Sequence, residues 1–477
     1  MDKYNEFKQS LVKAVEKFNS FDPKQTIRVI SHLDADGISA CSIIIHLLNK
    51  ENRKYSISIV PQLTKEKIIE FSKEEYPYFI FADLGSGQIS SISEILKEKK
   101  ILILDHHETA KDEISSNITH INPHLFGIDG SVEISGAGVV YLFATSISKE
   151  YEKLAHLAII GAIGDVQETR GELKQLNNEI LNTAVEKKLL EVKRGIRLFG
   201  MQTKPLHKIL EYSTDPYIPG VTGSESGAIQ FLYQIGIHPQ NSEKNSWKKI
   251  IHLNEEDMKK LATGIIMKRL NETNPEDIFG LMYILPNEKK ESPTRDAREF
   301  ATLLNACGRL DKASFGIGAC LGIEKDKKRA LETLTDYKKE IINAMKWYEA
   351  NQNSDKIIKS DKFMIINTED NIPVTIVGTL ASIISKSNEI KDSTYIMTLG
   401  QALDNTTKVS LRISGRKIDN EEKDLREILK KIIKRTGGEA GGHQYAAGCI
   451  IPTEKEKEFI SVAKEILTKR TMEEDIG

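Results

Sequence analysis

Ile101-Leu102-Ile103-Leu104-Asp105-His106-His107-Glu108 is an apolar run that ends abruptly in an acid and two imidazoles. Consecutive branched aliphatic residues bounded by charge read as a strand buried on both faces, and the polar residues then fall where the chain leaves the sheet for a loop. The same arrangement occurs twice upstream. Ile27 to Ile30 leads into His32-Leu33-Asp34-Ala35-Asp36-Gly37, and Phe79 to Phe81 leads into Asp83-Leu84-Gly85. Three strand ends offering carboxylates and imidazoles predict one shared metal site.

Working outward, Ile57 to Val60 and Ile118 to Ile121 supply two more strand-like runs. Between the runs lie helical stretches: residues 4 to 18, with Tyr4, Phe7, Leu11, Val15 and Phe18 spaced by three and four, then Ile38 to Leu48, Ile89 to Leu96, Gly138 to Ile147 and Leu154 to Ile163. This alternation predicts an α/β fold with a mostly parallel sheet and helices on both faces. Ligands of such sheets bind beyond the carboxyl ends of the strands, where Asp34, Asp36, Asp83, Asp105, His106 and His107 fall.

After about residue 190 the pattern is helical and irregular, punctuated by Pro205, Pro216, Pro219, Pro239, Pro275 and Pro286. From residue 356 a second α/β alternation begins, with strands at Phe363 to Ile366, Thr394 to Thr398 and Val409 to Ile413, and helices around Ile383 and from Glu422 to Ile433. The expected domains are 1–190, 191–345 and 346–477, in keeping with a 477-residue chain, for which length suggests roughly three domains. Gly437-Gly438-Glu439-Ala440-Gly441-Gly442-His443 predicts a backbone that turns tightly or approaches a ligand closely.

Composition excludes more than it selects. No stretch nears the roughly 18 to 20 apolar residues that span a bilayer, and Met1-Asp2-Lys3-Tyr4 opens without a signal-peptide pattern, so a soluble, cytoplasmic protein is expected. Cys41, Cys307, Cys320 and Cys449 have no Cys-x-x-Cys spacing and read as reduced core residues. A net charge of -2 does not mark a nucleic-acid binder, so any such role needs a local basic surface.

Asp34 and Asp36 sit in a loop that starts a helix, so either can cap that helix and both can converge on a hard cation. No acid supplies the bidentate ligand of a calcium-binding loop at position twelve, which excludes an EF-hand. Mixed carboxylates and imidazoles suit Mn²⁺ or a similar ion better than Ca²⁺, and the lack of thiolates argues against structural zinc. Ile160-Gly161-Ala162-Ile163-Gly164-Asp165 ends an apolar helix with an acid that either begins a turn or closes the site.

In this order the motifs Asp34-Ala35-Asp36-Gly37, Asp83, Asp105-His106-His107 and Gly161-Ala162-Ile163-Gly164-Asp165 resemble those of the DHH phosphoesterase superfamily. Gly441-Gly442-His443 resembles the signature of its C-terminal DHHA1 domain, and Asn305-Ala306-Cys307-Gly308-Arg309 a segment that RecJ nucleases carry between the two. The archaeal RecJ-like group, including the GINS-associated nuclease, is similar in size and domain order. His32 stands where bacterial RecJ sequences carry an acid, and is a further metal candidate.

The resemblance implies an N-terminal DHH domain, a helical middle region, an α/β DHHA1 domain and a catalytic cleft between domains. It implies two divalent ions, Mn²⁺ preferred and Mg²⁺ possible, with Asp83 bridging, Asp34 on one ion, and Asp36, His106 and Asp165 on the other. His107 would face the scissile phosphate and Asp105 would orient the imidazoles. The implied activity is a single-stranded DNA or RNA exonuclease releasing 5′-mononucleotides in DNA replication or repair, with GINS and the replicative helicase as partners. The alternatives are a short-oligonucleotide phosphodiesterase or phosphoadenosine-phosphate phosphatase, and a replisome scaffold related to a eukaryotic helicase component that has lost catalysis.

Thr406 to Arg435 carries ten Lys and Arg against five Asp and Glu, a balance of +5. Arg412, Arg416, Gly441, Gly442 and His443 are the expected substrate contacts there, joined by Asn305 and Arg309, for which a structural turn weighs equally. Lys423, Arg426, Lys430 and Lys434, interleaved with acids, read as a solvated helix face. His46 and His156 read as core or near-surface residues, and His120 and His124 as flanking a loop without an assigned role.

Overall fold

A computed structural model describes every residue except 1, 110–114, 170, 214–215, 242–245, 273, 388–389, 416–422 and 477, and only the backbone of 241, 443 and 472–476. The chain divides into two units, Met1–Leu334 and Thr335–Gly477. In the first, α1 (Lys3–Asn19) and β1 (Thr26–His32) are followed by α2 (Ala35–Lys50), β2 (Lys54–Val60), α3 (Lys65–Ser72), β3 (Tyr78–Ala82), α4 (Ile89–Ile95), β4 (Lys100–Leu104) and β5 (Ile118–Ile121). The five strands form one parallel sheet in the order β2-β1-β3-β4-β5.

Both faces of this sheet are apolar because both are covered. Phe79, Phe81, Ile101 and Ile103 pack with Ile68 and Phe71 of α3 and Ile89 and Ile92 of α4. The intervening Ile80, Leu102 and Leu104 are buried on the opposite face, as the period of two along a strand requires. α2, α5 (Gly136–Ile147) and α6 (Ala155–Gly164) pack against one another, followed by α7 (Gln175–Glu186).

The middle of the first unit is helical but framed by strands. β6 (Glu191–Ile196) pairs antiparallel with β9 (Phe279–Ile284), and between them lie α8 (Leu206–Glu211), α9 (Glu225–Gln234), the small β7 (Gln240–Asn241) and β8 (Ser246–Trp247) pair, and α10 (Glu255–Lys268). These helices enclose a core of their own around Leu210, Phe231, Leu232, Leu261 and Ile265. α11 (Ala297–Arg309) and α12 (Ala313–Cys320) then return to pack on α2.

That return places Asn305 and Gly308 against the first acidic loop. Asn305 Oδ1 accepts a hydrogen bond from Ala35 N at 3.0 Å, and a Cβ at residue 308 would lie 1.6 Å from Leu33 O. Backbone cannot yield to such an overlap without moving the loop. Gly308→Ala is therefore expected to destabilise the fold by about 3 kcal/mol or more, read from urea unfolding.

α13 (Glu324–Asn351) runs across the boundary between the units. In the second unit, β10 (Ile357–Lys359), β11 (Phe363–Asn367), α14 (Val374–Ile384), β12 (Tyr395–Gln401), β13 (Thr406–Ile413), α15 (Leu425–Thr436), β14 (Glu439–His443), β15 (Ala446–Pro452) and α16 (Glu456–Ile476) build a sheet of order β10-β11-β12-β13-β15-β14. α15 and α16 cover one face through Leu429, Ile432, Phe459 and Leu467. The glycine-rich tract is the edge strand β14, its Gly441 paired with Gly448 of β15.

Candidate metal centre and its surroundings

The loops after β1, β3 and β4 converge, together with the C-terminal end of α6. Asp34 caps α2 by accepting from Gly37 N, while its second oxygen lies 2.9 Å from His32 Nδ1. Asp36, in the first turn of that helix, is buried and accepts from Gly136 N at 2.7 Å and Ala137 N at 3.0 Å, so it sits at the positive end of α5. A Cβ at residue 136 would fall 2.2 Å from Asp83 Oδ1, which explains the glycine there.

Asp83 follows β3 with φ at +61°, a conformation that costs a non-glycine residue free energy and that clusters at functional sites. Its carboxylate is 1% exposed, and neither oxygen receives a hydrogen bond of good geometry among the described residues, although His106 Nε2 lies 3.2 Å from Oδ1. A buried, unsatisfied carboxylate is expensive unless a cation meets it. His106 Nε2 also lies 3.7 Å from Asp36 and 3.8 Å from Asp165, while His106 Nδ1 meets Gly130 O at 2.7 Å.

Among the described residues the potential ligand atoms fall into three groups, each spanning no more than 4.8 Å: His32, Asp34 and Asp83; Asp36, His106 and Asp165; and Asp83, Asp105, His106 and His107. Asp83 thus has donors on either side of it. Hard oxygens and imidazole nitrogens of this kind suit divalent metal ions.

Asp105 serves differently. Its oxygens accept from Ser86 N at 2.9 Å, His106 N at 2.8 Å and the His107 ring at 2.8 Å. Burial alone would raise this carboxyl, but His107, His106 and the Ser86 amide hold it well below the usual range. Asp34 behaves likewise, with His32 and the Gly37 amide outweighing burial. Asp36 goes the other way: burial, countered by His106 but reinforced by Asp165 and Asp34, pushes it up to about 6. Burial and Asp36 push Asp83 well above the carboxylate range, and His106, despite burial, is raised by Asp83, Asp165 and Asp36.

These shifts fix a pH dependence for the metal-free protein. Between pH 3.8 and about 6 the fold holds a proton on Asp36 that the unfolded chain releases, so ionisation removes on the order of 3 kcal/mol of stability as pH rises. His106 has the same sign, contributing below its ordinary value and losing that contribution as pH rises through its raised one. Asp34 and Asp105, depressed, contribute above the ordinary carboxylate value and lose that only in acid. The melting temperature of chelator-treated protein is expected to peak near ~pH 4 and fall by several degrees toward ~pH 8, and Mn²⁺ to flatten the fall. Calorimetry across that range checks it.

Ser86, Asn122 and Gln167, next to the cluster, carry no signal in the sequence, whereas His120 reads there as flanking a loop without an assigned role. Asn122 donates to both Ser86 Oγ and His107 O at 2.8 Å, and His120 Nε2 meets Ser86 Oγ at 2.9 Å, so His120 stands behind Asp105. Gln167 touches Asp165 and Gly130. In the second unit, the Arg412 guanidinium bonds to Ser382 Oγ, Leu411 O and Ala447 O, tying β13 to α14. Arg416 lies outside the described residues, as does the His443 side chain. Arg426 and Lys430 pair with Asp424 and Glu427 on α15. The four cysteines carry no disulfide.

Family models match along the chain: the DHH family N-terminal domain over 26–163, the DHH-CID domain over 198–280 and the DHHA1 domain over 361–469. An uncharacterized protein of Methanocaldococcus jannaschii is 34% identical over 448 residues, covering 92% of this chain and 93% of its relative. The chain belongs to the DHH/DHHA1 family. The fold of this DHH/DHHA1 protein is shared by RecJ in complex with Mn²⁺ from Thermus thermophilus, at TM-score 0.57 and 15% identity over 97% of this chain. The chain spans 55% of that RecJ. It is also shared by CDC45 from Entamoeba histolytica, at TM-score 0.61 and 12% identity over 98% of each chain. Among the described residues of the DHH/DHHA1 chain, no helix is long and apolar enough to cross a membrane.

Proposed function

We propose that this protein is a two-metal single-strand exonuclease that hydrolyses phosphodiester bonds and releases 5′-mononucleotides. The observation that carries the reading is the unsatisfied Asp83 carboxylate, flanked by His32 and Asp34 on one side and by His106, backed by Asp36 and Asp165, on the other. Divalent ions held by these residues, Mn²⁺ before Mg²⁺, would supply Lewis-acid polarisation of the phosphate and a nucleophilic water at neutral pH. The chain does the rest. Asp105 accepts from Nδ1 and so fixes the His107 ring with Nε2 turned away from it, and in the imidazolium form Nε2 would donate to a phosphate oxygen as charge develops there.

Binding of the strand is assigned to Asn305, Arg309, Arg412, Arg416, Gly441, Gly442 and His443. Gly441 supports this: a Cβ there would meet nothing within 4 Å, so packing alone does not require glycine on this edge strand, whereas close approach of a ligand to the backbone would. GINS and the replicative helicase are the proposed partners, in DNA replication or repair. A cavity of about 670 Å³ between α9 and α10, lined by Phe231, Ile235 and Met267 with Lys259 and Lys268, supports docking through the inserted domain.

The likeness to CDC45 favours a second reading, a replisome scaffold, against which stands the complete set of acids. Purified protein with Mn²⁺ is tested on end-labelled single-stranded DNA and RNA, and on a dinucleotide, beside an Asp83→Ala control. Mononucleotide release from long strands is expected. Preference for the dinucleotide would replace the polymer reading with an oligonucleotide phosphodiesterase, and no hydrolysis beyond the control would leave the scaffold.

A further inference from the structure

Gln167 is buried at 1% exposure, one residue beyond the exposed Val166, and its side chain reaches back beneath the acid cluster. Its Nε2 lies 2.8 Å from Gly130 O and 2.8 Å from Asp165 Oδ2. Both partners only accept, so the amide NH₂ must face them and Oε1 must face the other way. There Oε1 accepts from Asn177 Nδ2 at 2.7 Å. Asn177 is itself pinned on α7, its backbone N donating to Glu133 O at 2.9 Å.

Gly130 O is the same atom that His106 Nδ1 meets at 2.7 Å. A carbonyl in that position demands a proton on Nδ1, so Nε2, which faces Asp83, Asp36 and Asp165, is the nitrogen left to meet a cation. One amide therefore touches one ligand of the Asp36, His106 and Asp165 group and the carbonyl that orients another. No hydrogen bond joins it to His32 or Asp34 among the contacts described.

We propose that Gln167, anchored by Asn177, is a positioning residue that sets the affinity of the Asp36, His106 and Asp165 metal site independently of the His32 and Asp34 site. The inference rests on the two-metal reading. It predicts an asymmetry that general packing does not.

The test is a Mn²⁺ titration of chelator-stripped wild type, Gln167→Met and Asn177→Ala by calorimetry, with electron paramagnetic resonance to report coupled ion pairs and unfolding scans of the stripped proteins. Wild type is expected to bind two ions. Gln167→Met should weaken one of them by roughly 10- to 100-fold while the other stays within about twofold, with the coupled-pair signal giving way to that of single ions. Asn177→Ala should weaken the same ion by less. Two wild-type affinities in Gln167→Met, or both ions weakened in step with a lowered melting temperature, overturns the proposal. If Gln167→Met does not fold, Asn177→Ala decides by the same criterion. A wild type that binds fewer than two ions overturns the two-metal reading instead.

Discussion

Asp83→Asn is expected to lower the Mn²⁺-dependent hydrolysis of single strands by about 10³-fold or more and, at the same time, to make the metal-free protein more stable. The first effect follows from its place between the two groups of donors, where a neutral amide cannot bridge two cations. Loss of several kcal/mol of transition-state stabilisation is a factor of this size. The second follows from burial. The carboxylate is 1% exposed, finds no well-formed hydrogen bond among the described residues and is raised well above its ordinary range, so its ionised form opposes folding until a cation arrives. Asparagine keeps the volume and tolerates φ of +61°, so the loop should hold its course. Steady-state rates, Mn²⁺ stoichiometry and calorimetry in chelator would be measured on one preparation. Activity within ~10-fold of wild type, or a lower melting temperature without metal, would remove Asp83 from the bridging position.

The opposing effects on activity and stability show why parts of this fold are readable and others are not. Buried parallel strands must be apolar on both faces, so β3 and β4 stand out as uninterrupted runs and the acids at their ends are visible at once. β2 is partly exposed, and only its later half, Ile57 to Val60, is apparent in the sequence, whereas the strand starts at Lys54. β6 is not apparent at all. Glu191-Val192-Lys193-Arg194 is mostly polar, and its partner β9 lies beyond a whole inserted core, so no local pattern announces the pairing. The glycine tract, which reads as a turn or a close approach to a ligand, holds over Glu439–His443 a paired edge strand that no local pattern announces. Positive φ at Gly437 and Gly438, where the chain passes from α15 into β14, and at Gly442 within the strand calls for glycine at those positions, while Gly441 has no such backbone requirement.

A similar division separates the ligands from what holds them. Asp and His at strand ends announce themselves because few other roles bring them there. Ser86, Asn122 and Gln167 are ordinary loop residues in sequence, and most of the partners that tie them to the cluster lie 15 or more residues away. Only the fold shows that each is buried and hydrogen-bonded into the network around the candidate ligands.

The paired imidazoles are expected to separate in their effects. His106 is 1% exposed, and its Nε2 faces Asp83, Asp36 and Asp165, so His106→Ala removes a ligand and should weaken Mn²⁺ binding by about 10-fold or more. His107 is 31% exposed at its side chain and is held by Asp105, and in the proposed reaction it meets substrate. His107→Ala should leave Mn²⁺ binding within about twofold and lower kcat by roughly 10² to 10³, with a smaller change in KM, because the donor it removes acts where charge develops in the transition state. The two rings lie with centroids 4.4 Å apart, so any general disturbance of the loop would strike both variants alike. Metal titration beside steady-state kinetics separates the cases, and equal loss of Mn²⁺ from both would show that the adjacent histidines share one task.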